Sequence, residues 1–428
     1  MYYLGYNLLW ALAKPLLQTC LRLQPKYSTL LSRFRPEYHP TDKPPIWIQA
    51  CSVGEVNTAR PLVDALARRF PTTPILLTTS TVAGYALAVN RYADTFVQVM
   101  WMPFDHRVAV RRCIESINPR ILILLETEIW PNLLRETERF GTPTCIVNGR
   151  LSDKHYRNYQ RWQCIFSAAL QYLNVVGVQN ERYAERFEAL GYPKEKLMVT
   201  GNLKFDAVTT AVDAKTRNRL RLLCGYKAED LLLVFGSTRP GDEALALQCW
   251  RDLRSSYPHL RLVIVPRHLE RVAEIQRTIN APHVLRSGLE QPGGRDSATD
   301  ILLVDTMGEL VFWYALASVA VIGGSFHPGV EGHNPLEPAA LGVPTVFGPY
   351  ISNFRDPAKT LLEAEGAVQV MDVNHLPELL HSLLDDPAER RQLGTRARKV
   401  VLKHQGAVEK NVDLVESVLM GQDQALSR

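Results

Sequence analysis

The sequence predicts an α/β protein with two doubly wound domains that face each other across a cleft. Short apolar or β-branched runs alternate with segments of helical periodicity, which is the pattern of parallel sheets covered by helices. A chain of 428 residues is also too long for one ordinary core. The runs form two series, separated near residues 201–230 by a polar stretch without a strand-like run. We therefore predict an N-terminal segment 1–23, a first domain 24–207 and a second domain 208–428, whose last helix could pack back on the first domain.

The segment 1–23 is apolar and aromatic, unlike the rest of the chain. Lys14 and Pro15 interrupt the run of ~20 apolar residues that a clean spanning helix needs. Its aromatic residues, of the kinds enriched at membrane interfaces, are Tyr2, Tyr3, Tyr6 and Trp10. We expect a membrane anchor that spans the bilayer or lies in its interface; the alternative is a surface helix packed on the first domain. Basic residues follow closely at Lys26, Arg33 and Arg35, which by the positive-inside rule predicts that the domains lie on the cytoplasmic side.

The strands are predicted from apolar or β-branched runs of roughly four to eight residues. The first series is Ile46–Ala50, Ile75–Thr79, Ile121–Leu125, Thr144–Val147 and Val175–Val178. The second series is Leu231–Phe235, Leu260–Val265, Ile301–Val304, Val319–Ile322 and Thr345–Phe347. Segments such as 59–70 lie between them and have the apolar spacing of a helix. Ligands of open parallel sheets bind at the carboxyl ends of the strands, so the residues that follow these runs are the candidate site.

The composition argues against several kinds of site. The seven cysteines never form a C-x-x-C pair and the eleven histidines show no H-E-x-x-H, so we expect neither a zinc site nor a disulfide framework. There is no G-x-G-x-x-G after a first strand, no Walker A loop and no G-x-S-x-G, which argues against dinucleotide, P-loop and α/β-hydrolase chemistry. The net charge of +5 fits anionic lipid or phosphorylated substrates, and it fits equally well a protein without such partners.

The motif SVGE at 52–55 follows the first strand. The chain is expected to turn at Gly54 and to start a helix near residue 57. A carboxylate at a strand end can take a proton from a substrate hydroxyl, which makes Glu55 a candidate general base, and the helix N-terminus would tend to keep it ionised. Ser52 and Gly54 are then candidate substrate contacts. The alternative is that Glu55 only complements the helix dipole.

Two acids and a lysine follow other strands of the first series. Glu126 and Glu128 come directly after the apolar run 121–125, where solubility does not require them. One of them could orient a donor or share a proton with a substrate, and a salt-bridged pair beside the loop is the alternative. Lys204, at the domain boundary, could meet a carboxylate or phosphate as a point charge, or it could be a solvated linker residue.

Polar or glycine-rich segments end the strands of the second series, and together they predict a nucleotide site. Their candidate binding residues are Ser237 and Thr238; Pro266, Arg267 and His268; Met307, Gly308 and Glu309; Gly324 and Ser325; and Asn334, Pro335, Leu336 and Glu337. Backbone N–H groups at 236–238 and the Arg267 guanidinium suit a phosphate, and Glu309 and Glu337 suit ribose hydroxyls. Each segment alone is a weak signal, because glycine pairs are often only tight turns and acids near helix starts are often caps.

The order of these motifs resembles that of the Kdo transferases, which are 3-deoxy-manno-octulosonate transferases of Gram-negative envelope synthesis. The matching strings are SVGE, ETEIWPN, NGRLSD, GNLKFD, GST, PRH, DTMGEL, GGSF and HNPLEPAA. The resemblance implies the GT-B glycosyltransferase fold, with two Rossmann-like domains and the active site between them. It implies inverting transfer of Kdo from CMP-Kdo to a lipid A precursor at the cytoplasmic face of the cell inner membrane, in contact with membrane lipid. No metal, other cofactor or nucleic acid is expected to take part.

The resemblance also implies roles for individual residues. Glu55 matches the catalytic base, and Glu126 and Lys204 match positions credited with transition-state stabilisation. The residues that match the CMP-sugar site are Pro266, Arg267, Met307, Gly308, Glu309 and Asn334 through Glu337. The chain departs from the family pattern at Glu331, where glycine is usual, at Arg239, where histidine is usual, and at His155, where serine is common. These departures concern fine specificity rather than the reaction class.

Two alternatives to this function remain open. Another GT-B glycosyltransferase, or a related sugar epimerase, would use a uridine diphosphate sugar on the same fold. A membrane-tethered nucleotide-binding scaffold would carry out no catalysis.

Overall fold

The computed structural model describes residues 2–290 and 300–426, which divide into two compact units. Unit 1 is Met1–Ala207 together with Gln405–Arg428, and unit 2 is Val208–His404. The first residue of the predicted N-terminal segment, and residues 291–299 and 427–428 of the predicted second domain, lie outside the described residues. The end of the chain therefore belongs to the same unit as its beginning.

Unit 1 is built on a parallel sheet that has seven strands among the described residues, in the order β3-β2-β1-β4-β5-β6-β7. The strands are β1 Ile46–Gln49, β2 Ile75–Thr79, β3 Val97–Trp101, β4 Ile121–Leu125, β5 Thr144–Gly149, β6 Val175–Val178 and β7 Leu197–Val199. Ile46 pairs with both Ile75 and Ile121, so β1 is central. The sequence does not predict β3 or β7, because Gln98 interrupts the apolar run of β3 and β7 has only three residues, two of them exposed.

Unit 2 has the same kind of sheet, with strands in the order β10-β11-β9-β8-β12-β13-β14 where the chain is described. The strands are β8 Leu231–Thr238, β9 Leu260–Pro266, β10 His283–Leu285, β11 Ile301–Leu303, β12 Val319–Ile322, β13 Thr345–Phe347 and β14 Val368–Gln369. The edge strands β10 and β14 are short and half-buried, and the sequence does not predict them either.

Helices cover both sheets. Those of unit 1 before the boundary are α1 Tyr2–Leu23, α2 Val53–Arg69, α3 Val82–Tyr92, α4 Arg107–Ile117, α5 Pro131–Arg139, α6 Asp153–Arg161, α7 Gln163–Leu170 and α8 Glu181–Ala189. Those of unit 2 are α9 Ala214–Cys224, α10 Asp242–Leu253, α11 Val272–Thr278, α12 Leu310–Tyr314, α13 Leu336–Ala340, α14 Arg355–Glu363, α15 Leu376–Asp385 and α16 Pro387–His404. The chain ends with α17 Ala407–Leu426, which belongs to unit 1.

The last helix, α17, packs on α2 and on the strands β5 and β6. The carboxylate of Asp206 accepts the backbone N–H groups of Gly406 (2.7 Å) and Val408 (2.6 Å), so it caps the start of α17. Arg69 of α2 forms an ion pair with Asp413 of α17 (3.2 Å). The aspartate of the GNLKFD string thus has a structural role that its position in the sequence does not reveal.

The first helix, α1, packs one face on the rest of unit 1 and exposes the other face. The Tyr6 hydroxyl donates to Asp105 (2.8 Å), and the side-chain amides of Asn7 and Asn132 exchange hydrogen bonds of 3.1 Å. The opposite face exposes between 62% and 77% of each of five leucines, which are Leu4, Leu8, Leu9, Leu12 and Leu16. No helix among the described residues combines the length and the apolar character that crossing a membrane requires.

The start of α2 differs from the prediction. The helix begins at Val53 rather than near residue 57, so Glu55 lies inside its first turn. The reason is the cap: Oγ of Ser52 accepts the backbone N–H of Glu55 (3.4 Å). Pro61 then lies within the helix.

Candidate active site

The carboxylate of Glu55 folds back onto the turn that joins β1 to α2. Its Oε2 accepts the backbone N–H of Cys51 (2.7 Å), and its Oε1 accepts the hydroxyl of Ser52 (3.1 Å). Together with the Ser52 cap this is close to a capping box, for which S-x-x-E is the sequence signal. Gly54 is exposed in the same turn. Glu55 therefore does serve the helix end, and its half-buried carboxylate is also held at the carboxyl end of the central strand.

The electrostatics of Glu55 differ from the expectation. The pKa of Glu55 is raised to about 9, first by burial and then by the carboxylates of Glu128 and Glu126, while the Cys51 N–H bond opposes the rise. The prediction that the helix N-terminus keeps Glu55 ionised is wrong, because burial and two like charges outweigh the helix end. A proton held here at neutral pH has to leave before Glu55 can act as a base.

Glu126 directly follows β4 and has an unusual backbone conformation. Its φ of 59° lies in the left-handed region, which is uncommon for a residue with a Cβ atom. Its backbone N–H donates to the carbonyl of Val147 in β5 (3.1 Å). Backbone strain of this kind is found at sites where function requires one particular side-chain direction. Glu126 also raises the pKa of Glu55, so it lies in the same electrostatic cluster.

Glu128 is the second acid of the motif and lies deeper. Its Oε2 accepts the indole N–H of Trp130 (2.8 Å) and the side-chain amide of Gln49 (3.4 Å). Burial raises the pKa of Glu128 as well. Ligand atoms of Cys51, Glu55 and Glu128 lie within 4.8 Å of one another, so these three are the described side chains that could hold a metal ion. The sequence left open which of Glu126 and Glu128 acts on a substrate. The structure places Glu128 close to Glu55.

Arg33 is the basic residue of this cluster. The sequence places it among the charges that flank a membrane anchor, but only 8% of it is exposed. Its guanidinium donates to the carbonyls of Met102 (2.8 Å) and Ser80 (3.1 Å) and lies 4.2 Å from the centre of the Phe104 ring. Burial lowers its pKa to about 10, and the nearby Glu128 acts in the opposite direction. The prediction that Arg33 is one of the charges flanking a membrane anchor is therefore wrong. Arg33 instead supplies positive charge to the acidic cluster.

Lys204 lies in a short 3₁₀ turn, Leu203–Phe205, which packs against α2. The side chain of Asn202 accepts the backbone N–H of Lys204 (3.0 Å), and Asn148 accepts the N–H of Leu203 (3.0 Å). Lys204 is half-buried, which distinguishes it from a fully solvated linker residue. The structure thus brings the turn that carries Lys204 to the helix that carries Glu55.

In unit 2 the glycines of two motifs are required by close packing. A Cβ atom on Gly236 would lie 2.0 Å from the hydroxyl oxygen of Tyr314, and one on Gly323 would lie 2.4 Å from the carbonyl oxygen of Ser237. Ser237 itself has a left-handed φ of 57°. These glycines therefore let β8 and β12 approach their neighbours.

Other polar residues of these motifs form hydrogen bonds within unit 2. The hydroxyl of buried Thr238 donates to Glu243 (2.8 Å), and the backbone N–H of Gly324 donates to Asp242 (2.7 Å). Ser325 is buried and donates its hydroxyl to a carbonyl at the end of β12 (2.6 Å). The GST residues form the end of β8, and α10 begins only at Asp242.

A cluster of basic side chains lies at the carboxyl ends of β8 and β9. Nη1 of Arg239 is 2.6 Å from Nε2 of His268, and its Nε donates to Nε2 of His333 (3.4 Å). The pKa of His333 is lowered to about 4, first by burial and then by Arg239, Arg267 and His268. His333 is therefore neutral at physiological pH. Pro266 is the buried end of β9, and Arg267 is exposed directly after it.

Glu309 and Glu337 have different surroundings. Glu309 accepts two hydrogen bonds from Arg286 (2.9 and 3.0 Å) and one from Thr306 (2.9 Å). Met307 beside it is 72% exposed, and Gly308 has a left-handed φ of 80° with open space around it. The carboxylate of Glu309, which was predicted to bind ribose, is thus paired with Arg286.

The segment 334–337 turns into α13. Asn334 donates to Glu337 (3.3 Å) and accepts the backbone N–H of Leu336 (3.1 Å). Pro335 precedes the helix and Leu336 lies in the core. Burial raises the pKa of Glu337, while Asn334 and the charge of Arg267 act in the opposite direction. Arg267, His333 and Glu337 therefore belong to one electrostatic group, and Glu309 is held separately by its arginine.

Comparison with known proteins gives a consistent result. A family model described as 3-deoxy-D-manno-octulosonic-acid transferase (kdotransferase) matches residues 13–207. A 3-deoxy-D-manno-octulosonic acid transferase of Haemophilus influenzae is 31% identical over 425 residues, which cover 97% of this chain and 98% of the relative. A transferase of the same name from Bordetella pertussis is 32% identical over 386 residues, covering 88% and 87%. A solved glycosyltransferase from Rickettsia africae shares the fold, with a TM-score of 0.57 over 89% of this chain and 99% of that chain at 10% identity.

Proposed function

Because this chain belongs to the family of 3-deoxy-D-manno-octulosonic acid (Kdo) transferases, we propose that it transfers Kdo from CMP-Kdo to a lipid A precursor in lipopolysaccharide biosynthesis. The observation that carries this conclusion is identity of 31% with a Kdo transferase over nearly the full length of both chains. The fold supports it, since two parallel-sheet α/β units are the architecture of GT-B glycosyltransferases.

In the proposed reaction Glu55 takes the proton of an acceptor hydroxyl as that oxygen attacks the anomeric carbon of the donor. The bond from this carbon to the CMP phosphate breaks, its electron pair leaves with the phosphate, and the anomeric centre inverts. Glu55 must be ionised at this moment, and Arg33 beside Glu128 favours the negative form of the cluster. Glu126 and Lys204 are proposed to stabilise the charge of the transition state, as implied by the family motif.

Departure of the phosphate requires positive charge. CMP has a single phosphate, so protein groups alone can balance its charge, and we propose that the transfer needs no metal. Arg267 at the end of β9 and the backbone around Ser237 are the candidate groups. Glu337 and Asn334 are proposed to contact the nucleoside, which places the donor in unit 2.

We also propose that α1 holds the protein on the cytoplasmic surface of the inner membrane. Its outer face is a ridge of exposed leucines, whereas its inner face is bonded to unit 1 through Tyr6 and Asn7. A helix with one apolar face lies in the membrane interface rather than across it. The proposed acceptor is a lipid, so residence at the surface raises its effective concentration.

The direct test is mass spectrometry of the lipid products after incubation with CMP-Kdo and a lipid A precursor. The wild type is expected to add Kdo. Glu55→Gln is expected to lower turnover by about 10²–10⁴-fold, the usual contribution of a general base, while it keeps CMP binding. The matched control is Glu138→Gln, which changes an exposed acid of unit 1. Absence of a Kdo-bearing product from the wild type would overturn the function, and near-normal transfer by Glu55→Gln would remove Glu55 from its role.

A further inference from the structure

Arg239 is a half-buried basic residue at the carboxyl end of the sheet of unit 2. It follows β8, and Arg267 follows β9, and these two strands are adjacent and parallel. The last residues of the two strands, Thr238 and Pro266, are register partners, and the backbone N–H of Arg267 donates to Thr238 (3.1 Å). Two arginines therefore leave the sheet side by side at the edge where open parallel sheets bind ligands.

The side-chain partners of Arg239 are imidazole nitrogens. Nε2 of His268 and Nε2 of His333 both face the guanidinium, at 2.6 and 3.4 Å. Nδ1 of His268 lies 3.2 Å from the carboxylate of Glu270, so an N–H at Nδ1 serves Glu270 and leaves Nε2 to accept from Arg239. An imidazole carries no negative charge, so neither ring balances the positive charge of Arg239.

The nearby acids are used by other groups. Asp242 accepts the backbone N–H of Arg239 (2.8 Å) and that of Gly324 (2.7 Å), and Glu243 forms an ion pair with Arg271 (2.8 Å). In the part of the chain that the structure describes, no carboxylate lies within ion-pair distance of the Arg239 guanidinium. A half-buried guanidinium that lacks a counter-ion is arranged for an anion that arrives from outside.

We propose that Arg239 binds the phosphate of the CMP moiety, together with Arg267. The proposal rests on the function proposed above and adds a residue to its donor site. A guanidinium offers parallel N–H donors that fit two phosphate oxygens, which an imidazole cannot do. When the phosphate arrives, it replaces the two imidazoles as the partner of Arg239.

The alternative is that Arg239 only joins His268 to His333 as a structural link. The two possibilities differ in how they respond to the ligand. A phosphate contact matters for CMP and is irrelevant for cytidine, which has the same base and sugar without the phosphate. A structural link would affect both ligands equally, since it would shape the pocket for each.

The experiment is calorimetric titration of the full-length protein with CMP and with cytidine at one fixed salt concentration. Arg239→Ala is expected to weaken CMP binding by about 10–100-fold, the range for a charge-assisted hydrogen bond, and to leave cytidine binding unchanged. Arg239→Lys keeps the charge without the fork and is expected to lose less. Arg277→Ala, which removes an exposed arginine of α11, is the control and is expected to bind both ligands as the wild type does.

The outcomes separate this inference from the proposed function. If the wild type fails to bind CMP, the function itself is wrong. If the wild type binds CMP and Arg239→Ala binds it equally well, or loses CMP and cytidine to the same degree, Arg239 is not a phosphate ligand. Should Arg239→Ala unfold, Arg239→Lys decides the question by the same comparison of the two ligands.

Discussion

Glu55, at the scale of the single residue, is the proposed base, and its surroundings favour the protonated carboxyl group. Burial and the carboxylates of Glu128 and Glu126 all raise its pKa, and hydrogen bonds from its own turn oppose them. The base form therefore becomes populated as the pH rises, and it is lost as the pH falls below the raised pKa. Transfer is expected to increase from neutral into mildly alkaline pH.

Glu128→Gln tests this electrostatic coupling. The amide keeps the shape of the side chain but removes one negative charge next to Glu55, so the pKa of Glu55 falls toward its ordinary value. The rising limb of the pH–rate profile is expected to move down by about one pH unit. The profile is measured with CMP-Kdo and detergent-dispersed acceptor. Glu138→Gln, the same change at an exposed site, should leave the limb in place, and an unmoved limb in Glu128→Gln would refute the coupling.

At the scale of the element, α1 and α17 are the two helices whose roles depend on what they contact. The inner face of α1 is anchored by side-chain hydrogen bonds, and its outer face is the leucine ridge. The N-terminus of α17 is held by Asp206, which lies 200 residues earlier in the chain. The outer face of α1 and the N-terminus of α17 can therefore each be tested by substitution.

The leucine ridge is tested with the double variant Leu8→Glu, Leu12→Glu. Two charges on the outer face of α1 oppose its insertion among lipid chains, so binding to anionic phospholipid vesicles is expected to fall by about tenfold or more. Sedimentation of the full chain with vesicles measures it. Leu222→Glu provides the control, because Leu222 is 76% exposed on α9 in unit 2. Undiminished vesicle binding by the double variant would show that the ridge does not face the membrane.

The cap of α17 is tested with Asp206→Ala. Loss of a carboxylate that accepts two backbone N–H groups is expected to destabilise the helix start by about 1–2 kcal/mol. Hydrogen exchange should become faster in residues 407–426. Asp213→Ala removes a comparable cap, that of α9 in unit 2, and should leave exchange in α17 unchanged. Unchanged protection of α17 in Asp206→Ala would contradict the role of Asp206.

At the scale of the whole molecule, the donor nucleotide distinguishes the proposed transferase from its uridine-using alternative. CMP at ~100 times its Kd is expected to stabilise the protein by about 2.7 kcal/mol, because it binds only the folded state. A rise of roughly 5–10 °C in the unfolding temperature of unit 2 would follow. UDP should give no comparable rise. Equal protection by UDP would favour an epimerase or another UDP-sugar enzyme.

Several features were predictable because they depend on local patterns. Buried central strands such as β4 are continuous apolar runs, and S-x-x-E signals the start of α2, although the predicted start was several residues late. The order of motifs also predicted the family. Edge strands such as β7 were not predictable, since a short, partly exposed strand has no distinctive periodicity.

The sequence alone determined the α/β class, the central strands and the family, since periodicity and motif order are properties of neighbouring residues. Tertiary structure decided the charge state of Glu55, the burial of Arg33 beside Glu128 and the return of α17 to unit 1. It also decided that Gly236 serves packing and that, among the described residues, Arg239 has no carboxylate as a counter-ion. The physical reason is that desolvation and Coulomb interactions depend on distance in space, and these groups become neighbours only when the sheets form.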